Sequence, residues 1–445
     1  VALVLVYHVD TDVMPGGAIA VDVFFTLSGF VITRLLLAEY ARSGGIDLLG
    51  FYRRRWLRLV PALFVVCAVS AAVSLTTSLW GFHRAWEAAG LSALFVVNIV
   101  RAGDSGTYSD LTASLAHTWS LGVEEQFYLL WPVVLLLLLR RLRARTVLWC
   151  AAALCLLPTL WRWVLWAPDA AHRIYNGSDT RADQLLVGAL VAVVLARLRA
   201  DDPRLALLRT WAGRLTWPAL GLLALVAWRV PVTGELGVWT TLWYVGGFLG
   251  VAVVSATLIA GLELRPRSRL SRALGVAPLA WVGRNLSYGM YLWHYPVVRL
   301  LASLGVPQKD RLSTTVVLTV VLALLSYVLV EAPFLRRSGK RRGSSKRHGS
   351  GSGSGDGGGS AGRGAAAAGE PAVTNSGAPV TVVGGTPPVV LGEGAADASA
   401  GVPGGAAGCA PDAGPDAGAA DRAPAAAPPG DLPVHAPADH PPRVR

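Results

Sequence analysis

The chain has 445 residues, 53% of them hydrophobic and 15% charged, with a mean hydropathy of +0.48 and a formal charge of +12. So little charge cannot cover a soluble core of this size, and the long uncharged runs exclude a soluble class. On a soluble domain the basic balance would point to nucleic acid, but here the arginines fall between apolar runs, where they set membrane orientation instead.

Eleven apolar segments follow one another: 1–9, 18–38, 59–80, 88–100, 123–139, 147–166, 184–198, 217–230, 239–262, 281–304 and 312–332. In hydrocarbon every backbone polar group must be bonded internally, so these read as helices. A barrel strand would alternate, and residues 133–139 do not. Segment 88–100 decides the topology. If it crosses, the basic run Arg140, Arg141, Arg143 and Arg145 lands outside, and every later loop inverts. If it is re-entrant or interfacial, loops 39–58, 140–146, 197–216 and 263–280 lie inside with 18 basic residues. Loops 10–17, 81–122, 167–183, 231–238 and 305–311 then lie outside with six. The predicted fold is therefore an all-α integral membrane protein, a bundle of about ten transmembrane helices with both termini cytoplasmic. No internal repeat of the transporter kind is apparent.

Residues 1–337 form the predicted membrane domain. From 338 to 445 the composition turns to Gly, Ala, Pro and Asp, with GSGSGDGGGS at 351–360, and predicts a disordered tail. The chain opens at Val1 inside an apolar run, so the natural N-terminus is expected upstream. Cys67, Cys150, Cys155 and Cys409 lack metal or redox spacing, and no metal site is expected.

Ionisable groups inside apolar helices are functional candidates by default. His8 ends the first segment, followed by Asp10 and Asp12. Asp22 lies near the start of the second, ahead of Ser28 and Gly29, which permit close helix approach. Arg53, Arg54, Arg55 and Arg58 crowd one membrane edge; a basic cluster is ordinary there, yet it also suits a polyphosphate. His117 precedes Glu124, Glu125 and Tyr128, and Glu124 and Tyr128 share a helix face. Asp179, Arg181, Asp183 and Gln184 open a later span. Tyr291 and His294 lie within the 281–304 segment, and Ser326, Tyr327 and Glu331 close the last. A histidine with a carboxylate is the usual equipment for proton transfer.

Six strings among these, VDVFFTLSGFVIT (21–33), FYRRRWLRLVPAL (51–63), HTWSLGVEEQFYLLWP (117–132), DTRADQLLVGALVA (179–192), SYGMYLWHYP (287–296) and SYVLVEAP (326–333), resemble the acyltransferase-3 family of membrane O-acyltransferases. That group acylates surface polysaccharides, peptidoglycan and some antibiotic sugars. The resemblance covers 1–337 and implies about ten membrane helices, an acyl-CoA donor on the cytoplasmic side and a sugar hydroxyl as acceptor. It maps the family's catalytic histidine onto His8. The arginine that normally stands eleven positions before it would lie upstream of Val1.

The expected mechanism makes His8 the general base, oriented or charge-balanced by Asp22 or Glu124, with His117 nearby. Arg181 or a Ser or Tyr hydroxyl stabilises the oxyanion, and Arg53, Arg54, Arg55 and Arg58 hold the CoA phosphates. Acyl-CoA, acetyl-CoA foremost, is a substrate, and no permanently bound cofactor is implied. The remaining partners are a carbohydrate acceptor and the lipid bilayer. A multi-spanning exporter of a glycoside and a catalytically degenerate family member stay open as alternatives.

Overall fold

The computed structural model describes residues 1–103, 114–167, 169–199, 201–231 and 241–334. The expected tail at 338–445 lies outside the described residues, as does the start of the 239–262 segment. Every regular element among the described residues is helical. The helices are α1 (Ala2–Val9), α2 (Ile19–Ser43), α3 (Leu48–Thr76), α4 (Ala85–Ala93), α5 (Val97–Ala102), α6 (Trp119–Arg141), α7 (Ala144–Leu165) and α8 (Ala171–Asn176). They continue as α9 (Ser178–Ala196), α10 (Pro203–Arg229), α11 (Phe248–Leu264), α12 (Arg269–Leu274), α13 (Ala277–Asn285), α14 (Ser287–Ser303) and α15 (Gln308–Ser326). A π turn at Trp243–Gly247 leads into α11, and another at Tyr327–Glu331 closes α15.

Among the described residues, six helices are long and apolar enough to cross a bilayer: Ile19–Ser43, Leu48–Thr76, Ala116–Arg141, Ala144–Leu165, Trp243–Leu264 and Gln308–Phe334. The other four expected spans are helical but fall short by themselves. α1 has 8 residues and α14 has 17. α9 carries Asp179, Arg181 and Asp183 in its first turns, and α10 carries four arginines. Large apolar side chains such as Leu129, Leu130, Trp149, Trp163 and Val164 stay exposed on the outer faces, which water would penalise and lipid would not.

Several edges differ from the expectation. α3 begins at Leu48, so the string 51–58 is helix and not loop. The Asp47 side chain accepts the Gly50 amide at 2.8 Å, a side-chain cap that starts the helix there. α10 begins at Pro203 and not near 217: Asp202 caps it through Arg204 N (2.8 Å), and a proline at the first helical position loses no bond. Segment 281–304 breaks at Leu286 into α13 and α14. Segment 88–100 is two short pieces, α4 and α5, joined through Phe95 at φ 56. At about 1.5 Å per residue neither piece approaches the ~30 Å of a hydrocarbon core. Gln126 of α6 holds the break, donating to Phe95 O and Asn98 Oδ1, each at 3.0 Å. Asn98 donates in turn to Ser178 Oγ at 2.9 Å.

At the centre α2, α6 and α9 run in one direction. Along α2, Asp22 meets Arg181 and Gly29 meets Leu185 of α9, while Ser28 meets Glu124 and Thr33 meets Trp131 of α6. The α2–α9 contact is backbone on backbone. A Cβ on Gly29 would lie 1.9 Å from the Leu185 carbonyl oxygen, and one on Gly188 would lie 1.9 Å from that of Thr26. Leu36, Leu37, Leu135, Ala189 and Val193 fill the core beside this seam. Cys67 and Cys155 are buried and Cys150 is half-buried, all as free thiols. Gly188→Val is expected to force α2 and α9 apart at a cost on the order of 1–3 kcal/mol. Thermal unfolding in detergent checks this, and an unchanged midpoint would show that the seam opens freely.

Candidate active site

His8 closes α1, His117 lies in the 3-10 turn ahead of α6, and His294 lies two turns into α14. The His294 ring centroid is 5.2 Å from that of His8 and 5.2 Å from that of His117. The Tyr295 ring lies 4.8 Å from His8 and 5.3 Å from His117. Each imidazole has one nitrogen against a main-chain carbonyl: His8 Nδ1 on Val4 O (2.9 Å), His294 Nδ1 on Tyr291 O (2.5 Å) and His117 Nε2 on Leu292 O (3.1 Å). A carbonyl only accepts, so these nitrogens carry the protons and the tautomers follow by inference. The lone pairs left are His8 Nε2, His294 Nε2 and His117 Nδ1. His8 is half-buried, and no hydrogen bond among the described residues engages its Nε2. His117 Nδ1 is buried and has no partner among the described residues. Among the described residues no three His, Cys, Asp or Glu side chains are grouped as a metal ion would require.

Ion pairs occupy the neighbouring helices. Asp22 pairs with Arg181, both buried. The Arg181 guanidinium lies 3.8 Å from the Phe248 ring centroid and 5.0 Å from that of Tyr175, and its Nε and Nη1 have no hydrogen-bond partner among the described residues. Asp183 pairs with Arg162 at 2.6 Å. Arg162 also donates to the Thr180 carbonyl, to Val245 O (3.3 Å) and to Thr159 Oγ1 (3.0 Å), so all three of its nitrogens are engaged. Sequence reasoning passed over Arg162. Its signal was present: a single arginine inside the 147–166 run must find a partner or leave the membrane.

Deeper along α6, Glu124 meets Ser28 and Tyr128. Arg55 reaches in from α3, with Nη2 at 3.6 Å from Glu124 and 3.4 Å from Glu125, and its guanidinium carbon lies 3.4 Å from the Tyr128 ring centroid. Tyr291 OH donates to the His117 carbonyl at 2.8 Å and meets Ser120 Oγ. Ser120, Glu124 and Tyr128 thus form a polar stripe down one face of α6, about 12 Å long over eight residue steps, with His117 in the turn at its head. It runs from the histidines to the arginines.

Two sequence expectations need correction, and a third gains a contact. Neither Asp22 nor Glu124 hydrogen-bonds His8, because each is engaged elsewhere. The four arginines are not gathered in one cluster. Successive residues point ~100° apart on a helix, so Arg55 turns inward while Arg53, Arg54 and Arg58 stay exposed. Arg54 lies 3.7 Å from Glu39 and 3.8 Å from Asp47. The Ser28–Gly29 pair does more than permit close approach, since Ser28 also binds into the stripe. Glu331, buried in the last π turn, accepts from Ser326 Oγ at 3.5 Å. Removing one partner of a buried pair strands the other, so Arg162→Met is expected to cost about 3–5 kcal/mol. The double variant with Asp183→Leu should recover most of that loss in detergent unfolding, and equal losses in both would uncouple the pair.

A family profile described as an acyltransferase domain matches residues 2–331. The chain is 32% identical over 349 residues to the peptidoglycan O-acetyltransferase OatA of Listeria monocytogenes serovar 1/2a, covering 76% of this chain and 54% of the relative. It is 31% identical over 350 residues to the O-acetyltransferase OatA of Staphylococcus aureus strain NCTC 8325, covering 76% and 56%. The chain therefore spans about half the length of the curated relatives it matches. No solved structure matches it. A profile that begins at α1 and ends in the last π turn takes in the histidines, the stripe and both buried ion pairs, and the chain belongs to the acyltransferase-3 family.

Proposed function

We propose that the chain is a membrane-bound O-acyltransferase. It moves an acyl group, acetyl foremost, from acyl-CoA to a hydroxyl of a sugar-containing acceptor, and peptidoglycan is the acceptor suggested by the names of its relatives. The observation that carries this reading is the His8 imidazole: half-buried, proton held on Nδ1, lone pair on Nε2 without a hydrogen-bond partner among the described residues.

A sugar hydroxyl is a poor nucleophile at neutral pH, and a positioned base makes it competent. His8 Nε2 takes the hydroxyl proton as the oxygen attacks the thioester carbonyl. The tetrahedral intermediate collapses by breaking the C–S bond, and the departing thiolate recovers the proton from His8 Nε2. The products are the O-acyl ester and free CoA. Arg181, with two guanidinium nitrogens unpaired among the described residues and an aromatic surround, is the group we assign to the developing oxyanion. Exposed Arg53, Arg54 and Arg58 hold the CoA phosphates, and Arg55 ties that end to the α6 stripe through Glu124 and Glu125.

In this reading the segments that hold α1, α9, α10 and the α13–α14 pair are the four spans beside the six longer helices, which makes ten. Both termini are then cytoplasmic, 338–445 is a disordered appendage, and the protein sits in the cell membrane. The shared direction of α2, α6 and α9 supports this arrangement, because all three would run inward. With purified full chain in proteoliposomes, acetyl-CoA as donor and soluble peptidoglycan fragments as acceptor, His8→Ala is expected to lower transfer about 10²–10⁴-fold. Acetyl-CoA binding should persist in that variant and weaken when Arg53 and Arg58 become Ala. Undiminished transfer by His8→Ala would overturn the assignment of the base, and a folded protein that binds no acyl-CoA would favour an exporter.

A further inference from the structure

A base that takes a proton becomes an imidazolium, and something must receive the proton on its other nitrogen and share the charge. In many hydrolytic sites that partner is a carboxylate. Here none fills the role: no carboxylate among the described residues hydrogen-bonds His8. Asp10, two residues on, accepts the amides of Asp12 (3.0 Å) and Val13 (3.3 Å). The groups that face His8 are the Tyr7 ring, the Tyr295 ring and the His294 imidazole.

His294 Nε2 lies 3.4 Å from His8 Nδ1. Tyr291 O fixes the His294 proton on Nδ1, so Nε2 presents a lone pair to the His8 N–H. That N–H is then shared between Val4 O at 2.9 Å and His294 Nε2. His294 is fully buried, so water does not compete for the contact. We infer that His294 is the positioning residue of His8: a neutral imidazole that accepts the His8 Nδ1 proton and shares the charge His8 gains during transfer. The inference rests on the reading of His8 as the base.

The chemistry suits a membrane site. A buried carboxylate beside His8 would need its own counter-charge in low dielectric. A neutral imidazole needs none, and its hydrogen bond strengthens only when His8 becomes charged. The tautomer also selects which face of His8 works, because a proton held on Nδ1 leaves Nε2 as the only basic nitrogen.

Two measurements test the proposal on the full chain in detergent. The first labels histidine with ¹⁵N and looks for a through-space or scalar nitrogen–nitrogen connection between His8 and His294, assigned by loss of the signal in His294→Gln and in His8→Ala. Its absence from folded wild type overturns the pairing, whether or not the protein transfers acyl groups. The second compares three variants with acetyl-CoA and soluble peptidoglycan fragments. His294→Phe keeps the ring shape without an acceptor. His294→Asn can keep the donor to Tyr291 O but stops short of His8. His294→Gln can place an oxygen near the Nε2 position. Phe and Asn are expected to lower kcat about 10–100-fold, the loss of one charge-assisted hydrogen bond, with KM for acetyl-CoA unchanged. Gln should recover part of the rate. Wild-type kcat in a folded His294→Asn variant, or a rise in KM that explains the whole loss, overturns the proposal. If wild type itself transfers nothing, the base assignment fails separately and the nitrogen signal alone decides the pairing.

Discussion

Gly29 of α2 rests on the Leu185 carbonyl of α9, and Gly188 of α9 rests on the Thr26 carbonyl of α2. Two helices that touch backbone to backbone leave no freedom in rotation or register. With that seam closed, Asp22 falls opposite Arg181. Asp183, two residues on, faces Arg162 of α7. Charges of this kind are costly in hydrocarbon unless they are paired, so the seam and the pairs depend on each other. Packing between apolar helices in lipid gains little from hydrophobicity, and small residues with close contact take its place.

The breaks in the helices serve the same end. Backbone that leaves the helical path at membrane depth survives only where protein satisfies it. The α4–α5 break is held by Gln126 and Asn98, and the π turn before α11 gives Val245 O to Arg162. α14 supplies the Leu292 carbonyl to His117 and the Tyr291 hydroxyl to the turn before α6. Irregular backbone here is a source of acceptors that regular helices keep to themselves. The acceptors that set the tautomers of the three histidines are instead helical carbonyls, Val4 O of α1 and Tyr291 O and Leu292 O of α14, the last left without a helical donor because Pro296 four residues on has no N–H.

The polar groups divide into two kinds. Arg162 has every nitrogen engaged, and removing it would leave a buried charge without giving the site a new property. Among the described residues, His8, His117, Arg181 and Arg55 are each left with at least one unpaired nitrogen. A folded bundle tolerates such orphans at a cost, and a site that must bind something polar has a use for them. The stripe on α6 joins the two ends, with hydroxyls and carboxylates spaced along one face.

Much was legible in the sequence. Hydropathy marks the membrane class and the apolar segments, because burial in lipid is a local property of composition. Charge bias singles out 88–100 as unlike its neighbours, and the six motif strings carry the family. His8, Asp22, Arg181, Glu124 and His294 stand out because ionisable groups are rare in apolar runs. Their partners did not stand out. His8 and His294 are 286 positions apart, and Arg55 and Glu125 are 70 apart. Helix periodicity says which residues share a face, but not which neighbour that face will meet. Tertiary structure turned Arg55 inward, gave Asp22 and Glu124 to partners other than His8, and brought two imidazoles together where a carboxylate was expected. Pairing in a bundle is decided by helix approach and register, and those depend on contacts between segments that no local window of sequence contains.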